Sequence, residues 1–277
     1  MTNPIIALLG NPNVGKTSLF NRITKLHQKV GNYPGITVEK REGSLKANGK
    51  TYTIVDLPGT YTLFPTSLDE EIVFNTLADK NNKYYPDLVV VVAEPNNLTR
   101  SIISYQQARE LGLQAIFVIN MIDEISAKGL DIDYNKLESF LRCKIYTTDA
   151  RNGKGIKELI SAFDDRPGAY IGDFTVDPAY TAPIQEAKAL FPLLTEYHTW
   201  QYLVQDKVSF LSKEQNDSIF KIRERYNLSA NNLQKHEVLI RHKSVEEQTA
   251  GFINKVENQH LNKTNAIDKF LLHPIIG

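Results

Sequence analysis

The feature that most constrains this chain is an eight-residue segment near its start, Gly10-Asn11-Pro12-Asn13-Val14-Gly15-Lys16-Thr17. It follows an apolar, β-rich run at 5–9 and opens a stretch of helical spacing at 16–25. A GxxxxGK[ST] pattern between a strand and a helix forms a phosphate-binding loop. Its backbone N–H groups, at a helix N-terminus, cradle phosphate oxygens, the Lys16 ammonium reaches the β and γ phosphates, and the Thr17 hydroxyl ligates Mg2+. Asn11, Asn13, Val14, Gly15 and Ser18 complete the contacts expected of the loop. The alternative is a chance glycine-rich turn, and the strand-loop-helix context argues against it. The loop does not by itself choose between ATP and GTP.

A phosphate loop of this kind needs a sheet to sit on, and the pattern around it supplies one. Runs at 52–55, 88–93, 116–119 and 144–147 read as strands, and segments at 68–77, 98–111, 134–141 and 155–163 have helical spacing. Alternating strand and helix predicts an α/β fold with a mostly parallel sheet. A further strand at 42–47 turns at Asn48-Gly49 into the run at 52–55, a tight hairpin that makes the sheet mixed. Residues 164–183 carry three prolines and two glycines with no sustained period. We therefore place a nucleotide-binding domain at 1–165 and a linker at 166–183. Beyond the linker no strand is expected. Helical spacing at 184–191, 193–204, 214–226 and 230–256 predicts a small all-α domain over 184–265, with 266–277 leading out of it. A length of 277 residues suits two domains and hence two cores.

The base is chosen by Asn120-Met121-Ile122-Asp123, which follows the apolar run at 116–119 and so lies at a strand's C-terminal end, where open α/β sheets place ligands. Asn120, Met121 and Asp123 are the expected base contacts. The Asp123 carboxylate accepts from both the ring N–H and the exocyclic amino group of guanine, which adenine cannot match. Asn-x-x-Asp alone is common; in order behind a phosphate loop it is specific. Between the two lies Asp56-Leu57-Pro58-Gly59, whose aspartate holds Mg2+ through water and whose Gly59 N–H meets the γ-phosphate. Thr37, in a polar glycine-containing segment, is the hydroxyl expected to close over Mg2+ when GTP is bound.

Composition excludes several alternatives. Thirty-two basic and 32 acidic residues give zero net charge, without the footprint of a dedicated nucleic-acid binder. No nucleic acid partner is expected. The single cysteine, Cys143, reads as a buried structural thiol in a reducing compartment. His27, His198, His236, His242, His260 and His273 are scattered without metal-ligand spacing. Apolar runs such as 89–93 fall far short of the roughly 20 residues that span a bilayer. The sequence ends on the apolar run 270–277 with no polar tail, as if a longer chain were cut there.

Taken together, these motifs resemble the small-GTPase set and, more narrowly, the ferrous iron transport protein B (FeoB) family. The resemblance rests on the segments at 10–21, 30–39 (Val-Gly-Asn-Tyr-Pro-Gly-Ile-Thr-Val-Glu), 56–61 and 120–123, in that order; the second is the discriminating one. It implies a P-loop small-GTPase fold followed by a helical spacer, and slow hydrolysis of GTP to GDP. It also implies a K+ ion beside the phosphates, held by Asn13 and by backbone carbonyls near Asn32 and Tyr33. Residues 56–77 would form the second switch. Thr60 stands where Ras-like proteins carry a water-orienting glutamine, so K+ would supply charge that an arginine finger supplies elsewhere. The guanine-facing loop, 147–151, keeps Ala150, whose N–H would meet the guanine carbonyl, but has Asp149 where the family usually has serine. The partner implied is the transporter's own membrane domain, with the chain on the cytoplasmic face of the bacterial inner membrane and 267–277 approaching the first membrane helix. Homo-oligomerisation stays open. The runner-up is a GTPase of ribosome assembly or RNA modification, against which stand the zero charge and the lack of a Gly-x-x-Gly clamp. A pure interaction module with a degenerate site is poorly supported, since every residue needed for binding is present.

Overall fold

The computed structural model describes residues 3–25, 27–33, 38–127, 129–164 and 177–255. Thr37, most of the expected linker, the end of the expected helical domain, the segment 266–277, His260 and His273 lie outside the described residues. The first half runs β1 (Ile5–Leu9), α1 (Lys16–Thr24), β2 (Gln28–Asn32), β3 (Glu39–Ala47), β4 (Lys50–Asp56), α2 (Leu68–Ala78), β5 (Leu88–Ala93), α3 (Leu98–Glu110) and β6 (Ala115–Ile119). It continues through α4 (Asp123–Ala127), β7 (Leu130–Ile132), α5 (Tyr134–Leu141), β8 (Ile145–Thr147) and α6 (Ile156–Ser161). After the linker come α7 (Thr181–Leu190), α8 (Glu196–Leu203), α9 (Lys213–Arg225), α10 (Ala230–Thr249) and β9 (Ile253–Lys255).

The main sheet has the order β2-β3-β4-β1-β5-β6-β8. β5 and β6, Leu-Val-Val-Val-Val-Ala and Ala-Ile-Phe-Val-Ile, are buried at every position, as parallel strands covered on both faces require. β1 runs parallel to β4 and β5, and β6 parallel to β5 and β8. The loops after β1, β4, β6 and β8 therefore emerge along one edge. The hairpin β3–β4 closes at Asn48 (φ 51°) and Gly49 (φ 71°), both left-handed as a tight Asn-Gly turn demands. This is the mixed, mostly parallel sheet of the P-loop GTPase fold, followed by a helical region.

Side chains alternate across the strands and divide the core in two. Ile6 and Leu8 join Leu19, Phe20, Tyr52 and Phe163 on the face covered by α1 and α6. Ala7 and Leu9 join Phe74, Leu77, Tyr105 and Phe117 on the other, and this cluster continues without a break into Ile184, Trp200, Leu203, Ile222 and Val245 of the helical region. The sheet separates the two clusters. A buried ionic knot crosses the same junction: Arg241 of α10 pairs with Glu110 of α3 and, at 2.6 Å, with Glu237. Glu237 also accepts from the Tyr197 hydroxyl at 2.9 Å.

Several elements differ from the expectation. β2 extends the sheet beyond the hairpin; Gln-Lys-Val-Gly-Asn has no apolar alternation because it pairs only at the edge. The expectation of no strand beyond the linker is corrected by β9, which pairs antiparallel with β7, while the Asp133 N–H donates to the Phe252 carbonyl at 2.8 Å. Three-residue strands carry no period to detect; only the partner makes them visible. α10 stops at Thr249, short of residue 256, where the Phe252 N–H donates to the Thr249 carbonyl at 2.9 Å and the chain turns into β9.

Candidate functional site

The phosphate loop sits between the end of β1 and the first turn of α1. Gly15 has φ 83° and Asn13 φ 68°. A Cβ on Gly15 would lie 2.4 Å from Asn120 Nδ2, and one on Gly10 2.4 Å from the Val92 carbonyl oxygen, so neighbouring strands leave room only for glycine at both positions. Lys16 is buried, its Nζ donating to the carbonyls of Gly10 (3.0 Å) and Asn11 (3.2 Å). Burial lowers its pKa and the Asp56 carboxylate opposes that shift. Thr17 Oγ1 donates to Asp56 Oδ2 at 2.9 Å. The second oxygen, Asp56 Oδ1, is buried and has no partner. Burial pushes the Asp56 pKa up, while the Thr17 hydrogen bond and Lys16 pull it down. A carboxylate oxygen held unpaired beside a threonine hydroxyl is the hard oxygen donor set that Mg2+ takes, usually with several waters retained. These residues fit that ion.

The β4 loop closes on the phosphate loop from the other side. A Cβ on Gly59 would come within 3.0 Å of Pro12 backbone atoms, and the Thr60 N–H donates to the Gly10 carbonyl at 3.3 Å. Lys16, Thr17, Glu39, Arg41, Asp56 and Gly59 line a cavity of about 490 Å3. Thr60 is buried, and its hydroxyl is given to the Thr62 carbonyl inside the loop. Glu70, unremarked in the sequence, gathers the rest of this loop, accepting from the Thr66 N–H (2.9 Å) and hydroxyl (2.6 Å). Arg41 lines the cavity and pairs with Glu39, whereas Arg100 lies over the Tyr61 ring at 5.2 Å.

At the other end of the same sheet edge Asn120 is the tie between three loops. Its Nδ2 donates to the Val14 carbonyl (3.0 Å), and its Oδ1 accepts from the Thr148 hydroxyl (3.0 Å) and the Ala150 N–H (3.0 Å). Met121 takes φ 57°, which turns the chain so that Asp123 opens α4 with an exposed carboxylate. The turn after Thr148 closes on itself. The Asp149 N–H donates to the Lys154 carbonyl, and the Gly153 and Lys154 N–H groups donate to the Asp149 carbonyl. The Asp149 carboxylate accepts from the Asn152 N–H (3.0 Å) and Nδ2 (2.6 Å), bonds that hold its pKa below the ordinary carboxylate range. Asp149 thus braces the turn. Sequence reasoning missed Thr148 and Asn152, whose only signal is their place near the loop.

Several expected residues stand apart. Asn13 and Ser18 are exposed on the outer lip of the loop. Asn32 ends β2 opposite Glu39, and the Tyr33 N–H donates to the Val38 carbonyl at 3.0 Å. Cys143 is half-buried, and burial pushes its thiol up to about 11, so it stays protonated. His198 is buried against Tyr202, and burial lowers it to about 4. Among the described residues no group of three or more His, Cys, Asp or Glu could hold a metal ion, and no helix is long and apolar enough to cross a membrane.

The sequence model of the family described as "Ferrous iron transport protein B" matches residues 4–163. Among curated proteins, a Fe(2+) transport protein A/Fe(2+) transporter FeoB fusion protein of Porphyromonas gingivalis is 42% identical over 154 residues, 56% of this chain and 18% of that protein. The chain spans about a fifth of the length of the curated relatives it matches. Among solved structures, the cytosolic domain of L. pneumophila FeoB superposes with a TM-score of 0.76 at 28% identity, covering 90% of this chain and 99% of that one. The cytosolic domain of T. maritima FeoB in its GMPPNP form gives 0.68 at 28% identity, covering 90% and 98%.

Proposed function

Since the chain belongs to the ferrous iron transport protein B family, we propose that it binds GTP and hydrolyses it slowly to GDP and phosphate, as the cytosolic regulatory part of a bacterial ferrous iron transporter. The observation that carries this reading is the alignment of four loops on one sheet edge. Lys16, Thr17 and the unpartnered Asp56 oxygen stand at one end and Asp123 at the other, bridged by Asn120. Lys16 would leave the Gly10 and Asn11 carbonyls for the β and γ phosphates, and Gly59 would offer its N–H to the γ-phosphate. Bound Mg2+ would be held by Thr17, by Thr37 in the GTP state, and by Asp56 through water, and it would neutralise charge developing on the phosphates. Asp123 would read the guanine ring N–H and amino group, with Met121 against the base. The Ala150 N–H, already aligned by Asn120, would be shared with the guanine carbonyl.

Asn13 would hold K+ beside the phosphates, in a site completed by carbonyls near Asn32 and Tyr33. The neighbouring GMPPNP and GDP forms of T. maritima FeoB support guanine nucleotides as ligands of this fold. Iron is cargo here, carried by the transporter's membrane domain rather than by these residues, and the chain would stand at the cytoplasmic face of the inner membrane. The proposed units are a nucleotide-binding domain to about 165 and a helical spacer to 265. The test is base exchange: Asp123→Asn should lose GDP affinity by at least tenfold and gain affinity for xanthosine diphosphate, whose ring carries an oxygen in place of the amino group. Unchanged GDP affinity would remove the guanine assignment.

A further inference from the structure

The tip of the guanine-facing turn is fastened to α1 by a side chain that none of the nucleotide motifs contains. Arg22, in the last turn of the phosphate-loop helix, donates from Nε to the Ala150 carbonyl at 3.0 Å and from a terminal nitrogen to the Arg151 carbonyl. These are consecutive carbonyls, and a planar guanidinium with two prongs is the side chain that engages both at once. The guanidinium packs over Gly153, with Arg22 Cζ 3.6 Å from where a Cβ would sit; Gly153 itself is left-handed at φ 81°. The backbone bonds that close the turn run between Asp149, Gly153 and Lys154. They leave the two carbonyls at the tip to Arg22.

We propose that Arg22 is a positioning residue for the guanine-facing loop and sets how long a bound guanine nucleotide stays. This rests on the guanine reading of the site. The peptide units on either side of Ala150 are gripped from opposite directions. Asn120 Oδ1 takes the Ala150 N–H, and Arg22 takes the Ala150 and Arg151 carbonyls. Asn120 alone orients one N–H; both together fix the plane of the loop, and with it the direction in which that N–H meets a guanine carbonyl. Because Arg22 leaves from the helix that the phosphate loop opens, the base end and the phosphate end of the site are joined through α1 as well as through Asn120. Arg22 stands in the last turn of α1, at the opposite end of the helix from the phosphate loop, so its effect falls on residence time and not on the chemical step.

The experiment measures release of a fluorescent GDP analogue, and single-turnover hydrolysis at saturating GTP, for wild type, Arg22→Ala and Arg22→Lys. Two charge-assisted bonds on a partly exposed loop predict about tenfold faster release in Arg22→Ala. Arg22→Lys keeps the positive charge at the end of α1 but has no fork, so it should release GDP several-fold faster than wild type. The single-turnover rate should stay within about twofold in both variants. Release within twofold of wild type in Arg22→Ala, wild-type release in Arg22→Lys, or a single-turnover hydrolysis rate that falls about as far as release rises would each overturn the proposal. A wild-type chain that holds no GDP would instead remove the guanine reading beneath it.

Discussion

Asn120→Ala is the perturbation with the most direct reading from the structure. The Asn120 side chain is buried and makes three hydrogen bonds, to Val14, Thr148 and Ala150, all at 3.0 Å. Truncation leaves a carbonyl, an N–H and a hydroxyl without their partner in a dry site. Each group so stranded costs about 1–3 kcal/mol, and the hydroxyl recovers most by rotating, so the loss should total about 3–5 kcal/mol. A domain of this size loses roughly 2–4 °C in Tm per kcal/mol, giving a fall of roughly 6–20 °C. Thr148→Val removes one of the three bonds with its shape kept, and should cost only about 1 kcal/mol. Urea unfolding of the two variants, with GDP titrated calorimetrically into each, checks the reasoning. Asn120→Ala should also lose at least tenfold in GDP affinity, because the three loops it ties are those proposed to frame the nucleotide. If it unfolds within about 0.5 kcal/mol of wild type, or if Thr148→Val loses as much as Asn120→Ala, then Asn120 is not the tie described here.

Burial raises the pKa of Asp56 in the folded state, so its contribution favours folding at low pH and is lost as pH rises through the folded pKa. Asp56→Asn should therefore raise Tm at neutral pH in the absence of Mg2+ and nucleotide, lose that advantage below about pH 4, and abolish Mg2+-dependent hydrolysis; a lower Tm at neutral pH would contradict the electrostatics. Arg241→Ala removes the cation from between the buried carboxylates of Glu110 and Glu237 and should cost about 3–5 kcal/mol in urea unfolding. A loss below about 1 kcal/mol would mean the knot is solvated. Turnover in matched KCl and NaCl should be faster in KCl, and Asn13→Ala should remove the difference; the gain should fall short of the ~10³–10⁵ of an arginine finger, since a bound ion is held less rigidly. Equal rates in the two salts would shift attention to Arg41, which already lines the cavity.

Much of this site was legible in the sequence because its chemistry is local. Gly10 to Thr17, Asp56 to Gly59 and Asn120 to Asp123 each lie within a few residues, directly after an apolar strand, and the parallel alternation of strand and helix already implies that such loops share an edge. The strands at 5–9 and 88–93 and the Asn48-Gly49 hairpin were predicted for the same reason, from runs long enough to show a period. What the tertiary structure decided are relations between distant positions. Asp149 becomes a turn brace only when Asn152 folds back on it, and Thr60 faces its own loop only because Thr62 curls beneath it. β7 and β9 are three residues each and exist only as a pair, 125 positions apart in register at Leu130 and Lys255. Arg22 reads as one more charge near a helix end until Ala150, 128 residues on, is brought against it. Local bonding and periodicity are written along the chain. Partnership across the sheet and between distant loops is fixed by packing, which no short window of sequence contains.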